Sequence, residues 1–219
     1  MSKEKSSEGN LLLPVFLRLD KLQMLVVGGG AVGFEKVGVI FKNSNNANVT
    51  VVAPEIRTEL VALANQYPNL KLVYKKYDKA DLVGMDLVIS ATCFQELNAS
   101  VHKDAKALKI ICNVADTPDL CDFYMCSVVK KGDLKIGIST NGKSPTFAKR
   151  MRELLEDVLP DNINTILDNL TKIREKLKGD FEYKTKRLDE ITSVMNKKTI
   201  EDMNYFQRMF IRIKSFFSK

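Results

Sequence analysis

The sequence contains no long hydrophobic run. No segment reaches the roughly eighteen consecutive uncharged apolar residues that a membrane-spanning helix needs. Residues 1–10 are polar, carry charges of both signs and lack the apolar stretch of a signal peptide. We therefore expect a cytoplasmic protein that does not use a membrane.

Cysteine and histidine are scarce. The 219 residues include four cysteines, Cys93, Cys112, Cys121 and Cys126, and one histidine, His102. No two cysteines have the two-residue spacing with which a tight turn holds zinc, and His102 lies in a polar stretch, on the surface or in a cleft. We expect free thiols in a reducing compartment and no resident metal site.

Acidic residues are too few to balance the basic ones. There are 27 Asp and Glu against 34 Lys and Arg, which gives a net charge of +7. Such a molecule attracts anions, among them nucleic acid, a lipid surface or a small substrate with many carboxylates. Acids interleaved in the C-terminal part, such as Glu153, Glu156 and Asp157, dilute any basic stripe. Nucleic-acid binding is therefore the least favoured of these interpretations.

A glycine-rich turn lies between a predicted strand and a predicted helix. The apolar run 24–27 ends in Gly-Gly-Gly-Ala-Val-Gly, and helical spacing of apolar residues follows. In this pattern Gly28 allows a sharp turn, Gly30 lets the backbone approach a pyrophosphate, and Gly33 lets helix and strand pack closely. The β-branched run 49–53 completes a βαβ unit. The pattern predicts a dinucleotide site at the helix N-terminus.

The rest of the chain predicts an α/β fold in three parts. Strand-like segments at 72–74, 87–91 and 110–114 alternate with helical composition such as that of 96–108, which favours a Rossmann-type parallel sheet in residues 1–116. A small β element follows at 117–145. It contains the segments 124–130 and 134–139, joined by a Lys-Gly-Asp hairpin turn.

Residues 146–219 form the third part, a helical region. Apolar residues recur there at helical spacing, with breaks near Pro160 and Gly179. The tail 203–219 is basic and amphipathic, so it suits a membrane surface. We favour packing of this tail on the helical region or on a partner subunit.

The choice between NAD and NADP depends on the residues after the second strand. The acidic residue that usually binds the ribose is not in its expected place, because the segment 52–55, Val-Ala-Pro-Glu, occupies that position and Glu55 comes slightly late. A carboxylate at Glu55 could still reach the ribose and would repel the extra phosphate of NADP. Arg57 argues in the other direction, because a guanidinium could pair with that phosphate. We expect NAD.

Six segments line up in order with one known family. They are LPVFL at 13–17, the glycine turn, VVAPE at 51–55, SAT at 90–92, CNVAD at 112–116 and STNGKSP at 139–145. Together they resemble the precorrin-2 dehydrogenase/sirohydrochlorin ferrochelatase family, which includes the N-terminal module of bacterial sirohaem synthase. The resemblance covers about residues 13–160.

The resemblance implies an oxidoreductase of sirohaem (porphyrin) biosynthesis that oxidises precorrin-2 to sirohydrochlorin with NAD. In some members insertion of ferrous iron, a lyase reaction, follows. It also implies a homodimer joined through the β element 117–145 and the helical region. An NAD-sensing regulatory module without catalysis is the alternative, although it leaves the CNVAD and STNGKSP segments unexplained.

The resemblance also assigns site residues. Besides the three glycines of the turn, the positions that match cofactor contacts are Ala31, Val32, Pro54, Glu55 and Thr92. Asp116 matches the aspartate to which dehydrogenation, and chelation where present, is attributed, and Asn113, Lys143 and Ser144 match the substrate cleft. Two alternatives stay open from the residues themselves. Asp116 also suits an Asx turn with Thr117 and Pro118, and Ser144 suits a helix N-cap before Pro145.

The basic residues near this predicted helix start could meet the carboxylates of the family's substrate. They are Lys143, Lys149, Arg150 and Arg152. Solvated surface lysines and arginines are the simpler interpretation.

Overall fold

A computed structural model describes residues 9–193 of the chain. They divide into two compact units. One unit contains the described residues up to Lys130 together with Lys135–Val158, and the other contains Lys131–Leu134 and the described residues from Leu159 onward. The predicted tail helix at 203–219 lies outside the described residues. The three-part division into 1–116, 117–145 and 146–219 stays a prediction.

The first unit is built on a five-stranded parallel sheet. Its strands are β1 Gln23–Val27, β2 Asn48–Ala53, β3 Leu70–Tyr74, β4 Leu87–Ser90 and β5 Ile111–Val114. Their order is β3-β2-β1-β4-β5, and every neighbouring pair is parallel. The order reverses between β1 and β4, which is the point where open α/β sheets bind ligands. The predicted Rossmann-type sheet is confirmed.

Helices cover both faces of this sheet. They are α1 Ala31–Asn43, α2 Thr58–Gln66 and α3 Gln95–Ala107. Alternate residues of β1 face opposite sides: Val26 packs with residues of α1 and α2, and Leu25 packs with residues of α3. Because both faces are covered, the strands are almost continuously apolar. Each fully buried aliphatic side chain contributes about 2 kcal/mol to folding.

The main differences from the sequence prediction are two strand starts and one helix that was not predicted. The strand predicted at 72–74 begins at Leu70, because Leu70 is buried and pairs with Val49 of the neighbouring strand. Helix α2 was not predicted, since Leu60 is its one fully buried residue and the periodicity is weak. The strand predicted at 124–130 begins at Ser127, because Phe123 and Met125 pack against the core before the chain extends.

A β-hairpin follows the sheet, as predicted. Its strands are β6 Ser127–Lys131 and β7 Leu134–Ile138, and Gly132 in the two-residue turn has φ +54°. Lys130 and Lys135 donate hydrogen bonds to the carbonyl oxygens of Lys42 (3.2 Å) and Asn43 (2.7 Å). These carbonyls lie at the C-terminal end of α1, where a positive charge is favourable.

The remaining helices are α4 Pro145–Val158, α5 Ile163–Lys176 and α6 Phe181–Thr192. The chain breaks near Pro160 and Gly179 as predicted, and the Asp180 carboxylate caps α6 by accepting the Tyr183 N–H at 2.8 Å. Among residues 9–193, no helix combines the length and apolar character required to span a bilayer.

Candidate functional site

The glycine turn joins β1 to α1 at the carboxyl edge of the sheet. Gly28 is buried with φ +121°, and its N–H donates to the carbonyl of Val52 at 3.0 Å. A Cβ at Gly28 would lie 2.4 Å from the carbonyl oxygen of Ala91. A Cβ at Gly33 would lie 2.1 Å from the carbonyl oxygen of Gly28. Both positions therefore require glycine, and the strand ends pack tightly around the turn.

Gly30 differs from the other glycines of this turn. It is exposed, and a Cβ there would meet no atom within 4 Å. Gly30 precedes α1, and no side chain caps this helix end within the part of the chain that is described. The first N–H groups of the helix, those of Ala31, Val32 and Gly33, therefore have no capping side chain as a partner, and the space next to them around Gly30 is open. The turn fits a pyrophosphate, which such N–H groups and the helix dipole attract.

Gly29 is a third required glycine, and the sequence reasoning missed its role. A Cβ at Gly29 would lie 2.4 Å from the carbonyl oxygen of Glu55, and the Gly29 carbonyl accepts the Arg57 N–H at 3.0 Å. Gly29 thus holds the β2–α2 turn against the glycine turn. The signal in the sequence was a glycine between Gly28 and Gly30, at a position where the dinucleotide pattern accepts any residue.

Pro54 and Glu55 are exposed in this β2–α2 turn, next to the glycine turn. The Arg57 guanidinium pairs with the carboxylate of Glu59 at 2.5 Å. Hydrogen bonding within this exposed pair raises the pKa of Arg57 and lowers the pKa of Glu59 to about 2. The guanidinium that argued for NADP is thus engaged with its own neighbour.

The β4–α3 turn lies on the other side of Gly28. Ala91 donates its N–H to the carbonyl of Val27 at 2.8 Å, and Thr92, half-buried, donates its hydroxyl to Oδ1 of Asn98 at 2.7 Å. Asn98 is a buried residue of α3 that the sequence reasoning missed, because its partners cannot be inferred from spacing alone.

Asp116 follows β5 at the same edge. Its φ is +58°, in a turn in which the Thr117 N–H donates to the carbonyl of Val114 at 3.3 Å. The Asp116 side chain is exposed and accepts no hydrogen bond from residues 9–193, so the Asx turn with Thr117 and Pro118 does not form. Such a conformation costs a residue other than glycine about 1 kcal/mol, although aspartate adopts it more readily than most.

Asn113 and Cys121 brace the loop that carries Asp116. Asn113 is buried, and its side-chain amide donates to the carbonyl of Phe123 at 2.8 Å. The thiol of Cys121 lies 3.2 Å from the carbonyl oxygen of Val114. Burial raises the pKa of both Cys121 and its neighbour Cys112, the latter to about 12. Neither thiol is therefore a thiolate at neutral pH. The assignment of Asn113 to the substrate cleft stays a prediction.

The segment 139–145 forms a tight turn and the start of α4. Asn141 and Gly142 have φ values of +53° and +73°, and the Lys143 N–H donates to the carbonyl of Thr140 at 3.0 Å. The hydroxyl of Ser144 accepts the Phe147 N–H at 3.2 Å, which is the predicted N-cap. Its role in substrate binding, like that of Lys143, stays a prediction.

The basic residues of α4 are mostly paired along their own helix. Arg150 lies 2.8 Å from Glu153, and Arg152 lies 2.6 Å from Glu156. These pairs leave less positive charge for a ligand than the sequence indicated.

The ends of four strands therefore meet at one edge. Contacts of Gly28 join β1, β2 and β4, and the Ala115 N–H donates to the carbonyl of Ser90 at 2.9 Å, which links the Asp116 loop to the Thr92 turn. No hydrogen bond joins residues 139–145 to this edge in the described ranges.

His102 lies half-buried on α3, and between residues 9 and 193 no three His, Cys, Asp or Glu side chains group in a way that would hold a metal ion.

Comparison with known proteins places the chain in a family. A family model described as "Putative NAD(P)-binding" matches residues 15–127, about half of the chain. The chain belongs to this NAD(P)-binding family. A second model, described as "Sirohaem biosynthesis protein central", matches residues 131–157.

The particular relatives agree with these two matches. The chain is 36% identical to the siroheme synthase of Psychrobacter arcticus over 171 residues, which are 78% of this chain and 30% of that protein. It is also 36% identical to siroheme synthase 3 of Aeromonas hydrophila subsp. hydrophila over 169 residues, 77% of this chain and 36% of that protein. The chain thus spans about a third of the length of these relatives. The resemblance predicted from the motifs is confirmed.

A solved structure shares the fold. It is that of SirC, precorrin-2 dehydrogenase, with a TM-score of 0.64 and 24% identity, and the match covers 92% of this chain and 100% of that one. The predicted α/β class, with a small second sheet and C-terminal helices, is confirmed.

Proposed function

We propose that this protein oxidises precorrin-2 to sirohydrochlorin in sirohaem biosynthesis, with NAD as the hydride acceptor. The observation that carries the proposal is the exposed carboxylate of Asp116, which accepts no hydrogen bond from residues 9–193 and lies at the same sheet edge as the open glycine turn of the strand-order reversal. The siroheme synthase relatives and the SirC fold support it.

NAD is the cofactor we favour over NADP. The exposed Glu55 follows β2 where the ribose of a bound dinucleotide would lie, and a carboxylate there repels a 2′-phosphate. The nearby Arg57 guanidinium forms an ion pair with Glu59, so it is less available to pair with a 2′-phosphate.

The roles of this chain's own groups follow from the geometry. When bound, NAD supplies the nicotinamide ring that takes up a hydride. The N–H groups of Ala31, Val32 and Gly33 would hold its pyrophosphate at the start of α1, and the Thr92 turn would lie on the side of its other half. The carboxylate of Asp116 accepts the proton that the tetrapyrrole loses as the hydride leaves. Because the Asp116 carboxylate accepts no hydrogen bond from residues 9–193, its oxygens are open to a proton of the substrate.

The substrate lies between this edge and residues 139–145. Lys130 and Lys135 fasten the closed end of the hairpin at the C-terminal end of α1. In the proposed arrangement, β7 runs back from there towards the N-terminal end of α1. Its five residues cover about 16 Å, against about 20 Å for the thirteen residues of α1. Lys143 and Ser144 thus return to the side of the glycine turn, where they meet carboxylates of the substrate.

A homodimer in the cytoplasm completes the proposal. A two-stranded hairpin is marginal alone, so a second copy against β6 and β7 would stabilise it. All four cysteines are unpaired, which suits a reducing compartment. Sedimentation equilibrium of the purified chain tests the dimer, and a purely monomeric protein at micromolar concentration would contradict it.

Ferrous iron insertion into the product is a second candidate for the same cleft. The Asp116 carboxylate, which has no partner among residues 9–193, favours it, because insertion requires a base that removes pyrrole protons. Iron would then be a substrate of the site.

The test is an anaerobic absorbance assay with enzymatically generated precorrin-2 and NAD, followed by ferrous iron. We expect sirohydrochlorin to form with the wild-type chain, and Asp116→Asn to lower kcat by roughly 100-fold or more with NAD affinity unchanged. Asp119→Asn is the matched control, since Asp119 is also an exposed carboxylate of this loop, and it should retain activity within about twofold.

Two outcomes contradict parts of the proposal. Full activity of Asp116→Asn would remove the aspartate from the reaction. No product from a wild-type chain that binds NAD would favour a regulatory NAD-sensing module instead.

A further inference from the structure

The Asn98 side chain makes four hydrogen bonds to Ser90 at the end of β4 and to Thr92 in the β4–α3 turn. It lies in the first turns of α3 and is 6% exposed. Its Oδ1 accepts the hydroxyls of Ser90 at 2.8 Å and Thr92 at 2.7 Å, and the Thr92 N–H at 3.3 Å. Its Nδ2 donates to the carbonyl of Thr92 at 3.0 Å. Both polar atoms of the amide are thus directed at the β4–α3 turn.

An amide is the group that this arrangement requires. Oδ1 faces three donors and Nδ2 faces one acceptor, so a carboxylate would place an oxygen against the carbonyl of Thr92. An apolar side chain would leave the buried Ser90 hydroxyl without its partner, which costs more than the bond itself contributes. The β4 strand is already paired on both sides, by β1 and β5. The bonds of Asn98 therefore fix the turn beyond the strand.

This turn is in contact with the glycine turn. The carbonyl oxygen of Ala91 lies where a Cβ at Gly28 would collide, at 2.4 Å. Thr92 follows directly and also accepts the Phe94 N–H on its hydroxyl at 3.2 Å. A shift of the Asn98 amide would therefore move atoms that flank the opening of the site.

The position of the turn decides which half of a dinucleotide it affects. In an open sheet with this strand order, a dinucleotide lies across the reversal point, with its pyrophosphate over the first turn. Adenosine then lies towards β2 and Glu55, and the second nucleotide lies towards β4 and Thr92. The β4–α3 turn thus flanks the nicotinamide half.

We propose that Asn98 is a positioning residue that holds the β4–α3 turn for the nicotinamide half of NAD, and thereby sets the affinity for NAD relative to ligands that contain adenosine alone. The inference rests on the proposed use of NAD. In this proposal Asn98 does not contact the cofactor, and it affects NAD binding by fixing the position of the β4–α3 turn.

The experiment compares NAD with AMP by isothermal titration calorimetry on the full chain. Asn98→Leu keeps the size of the side chain and removes the amide. We expect the Kd for NAD to rise about tenfold, the equivalent of one or two hydrogen bonds, and the Kd for AMP to change less than twofold. Ser90 is fully buried, and Ser90→Ala removes its one hydrogen bond to Asn98. This substitution should raise the Kd for NAD about threefold and leave the Kd for AMP nearly unchanged.

Val101→Ala is the matched control for a purely structural effect. Val101 is a fully buried residue of α3 one turn further on, packed with the core and not with the turn. It should lower the melting temperature and leave the ratio of the NAD and AMP affinities unchanged. Equal loss of both affinities in Asn98→Leu and Ser90→Ala, or the same change of ratio in Val101→Ala, would overturn the proposal.

The readout keeps this inference separate from the proposed reaction. A wild-type chain that binds NAD without oxidising precorrin-2 counts against the reaction, and the affinity ratio still decides the role of Asn98. A wild-type chain that binds AMP but not NAD overturns that role.

Discussion

Gly28 and Gly30 lie two residues apart and have opposite physical requirements. Gly28 has a backbone conformation that few other residues adopt, and a carbonyl oxygen occupies the place of a side chain. Gly30 has an ordinary negative φ of −82° and open space around it. One glycine serves the fold, and the other leaves room for a ligand.

This difference predicts different outcomes for the same substitution. Gly28→Ala should lower the free energy of unfolding by about 2–4 kcal/mol, from backbone strain and the collision with Ala91. Gly30→Ala should leave stability unchanged and weaken NAD binding, because the methyl group enters the phosphate position. Urea unfolding and calorimetry measure the two quantities. Equal NAD affinity of Gly30→Ala and wild type would show that the pyrophosphate does not lie there.

Some of these residues could be predicted from the sequence and others could not. The roles of Gly28, Gly30 and Gly33 are local, since one strand, one turn and one helix fix them, and spacing reveals such roles. Gly29 and Asn98 depend on contacts with Glu55 and with the β4–α3 turn, which exist only in the folded sheet. Their chemistry was visible in the sequence, but their partners were not.

At the scale of elements, the hairpin is fastened to α1 by two lysines of different exposure. Lys135 is half-buried and lies 2.7 Å from the carbonyl oxygen of Asn43, whereas Lys130 is exposed and lies 3.2 Å from that of Lys42. A charged donor at a helix C-terminus contributes more when it is shielded from water.

Lys135→Met should therefore cost about 1 kcal/mol of unfolding free energy, and Lys130→Met, the matched change, clearly less. Urea denaturation followed by circular dichroism measures both. Equal losses, or none in Lys135→Met, would mean that the hairpin does not depend on this contact.

A second connection between elements involves Asp122, which joins the loop after β5 to α3. Its carboxylate pairs with Lys106 and accepts the Cys112 N–H at 2.9 Å, and His102 is close enough to act on it electrostatically. Partial burial opposes ionisation, but the bonds to Lys106 and Cys112 outweigh it and lower the pKa of Asp122 below its ordinary value of 3.8.

The lowered pKa of Asp122 predicts a pH dependence of stability. Because the folded pKa lies below the unfolded one, the stabilisation is complete above pH 3.8 and disappears as the pH falls through the folded pKa. Wild type should be more stable than Asp122→Asn at pH 7, and the difference should shrink below about pH 4. Urea midpoints at several pH values measure it. A difference that persists unchanged in acid would exclude the charge as its cause.

The elements themselves were largely predictable, because buried parallel strands form short apolar runs between polar breaks. The exceptions have physical reasons. Helix α2 has one fully buried residue in nine, which leaves little periodicity. The loop between β5 and β6 is held by Cys121 within the loop and by Asn113 at the end of β5. Such single contacts leave no periodic pattern in the sequence.

At the scale of the whole molecule, the net charge of +7 is less available to a ligand than the sequence indicated. Arg150 and Arg152 are paired with Glu153 and Glu156. Lys143 makes no ion pair with any of the residues 9–193, and it stands in the turn before α4. It is thus the cation of this segment that we expect to meet a substrate carboxylate.

Salt and substitution together test this expectation. Raising the salt concentration from about 0.1 M to about 1 M shortens the Debye length from about 10 Å to about 3 Å. Because this weakens the attraction between Lys143 and a substrate carboxylate, the KM for precorrin-2 should rise several-fold with kcat unchanged. Lys143→Gln should raise KM at low salt and reduce its salt dependence. Lys149→Gln removes the same charge from a side chain 4.0 Å from Glu153, and it should have less effect. Steady-state kinetics at both salt concentrations measure these effects. If the two substitutions raise KM equally, the substrate is attracted by the net charge of the protein and not by Lys143 in particular.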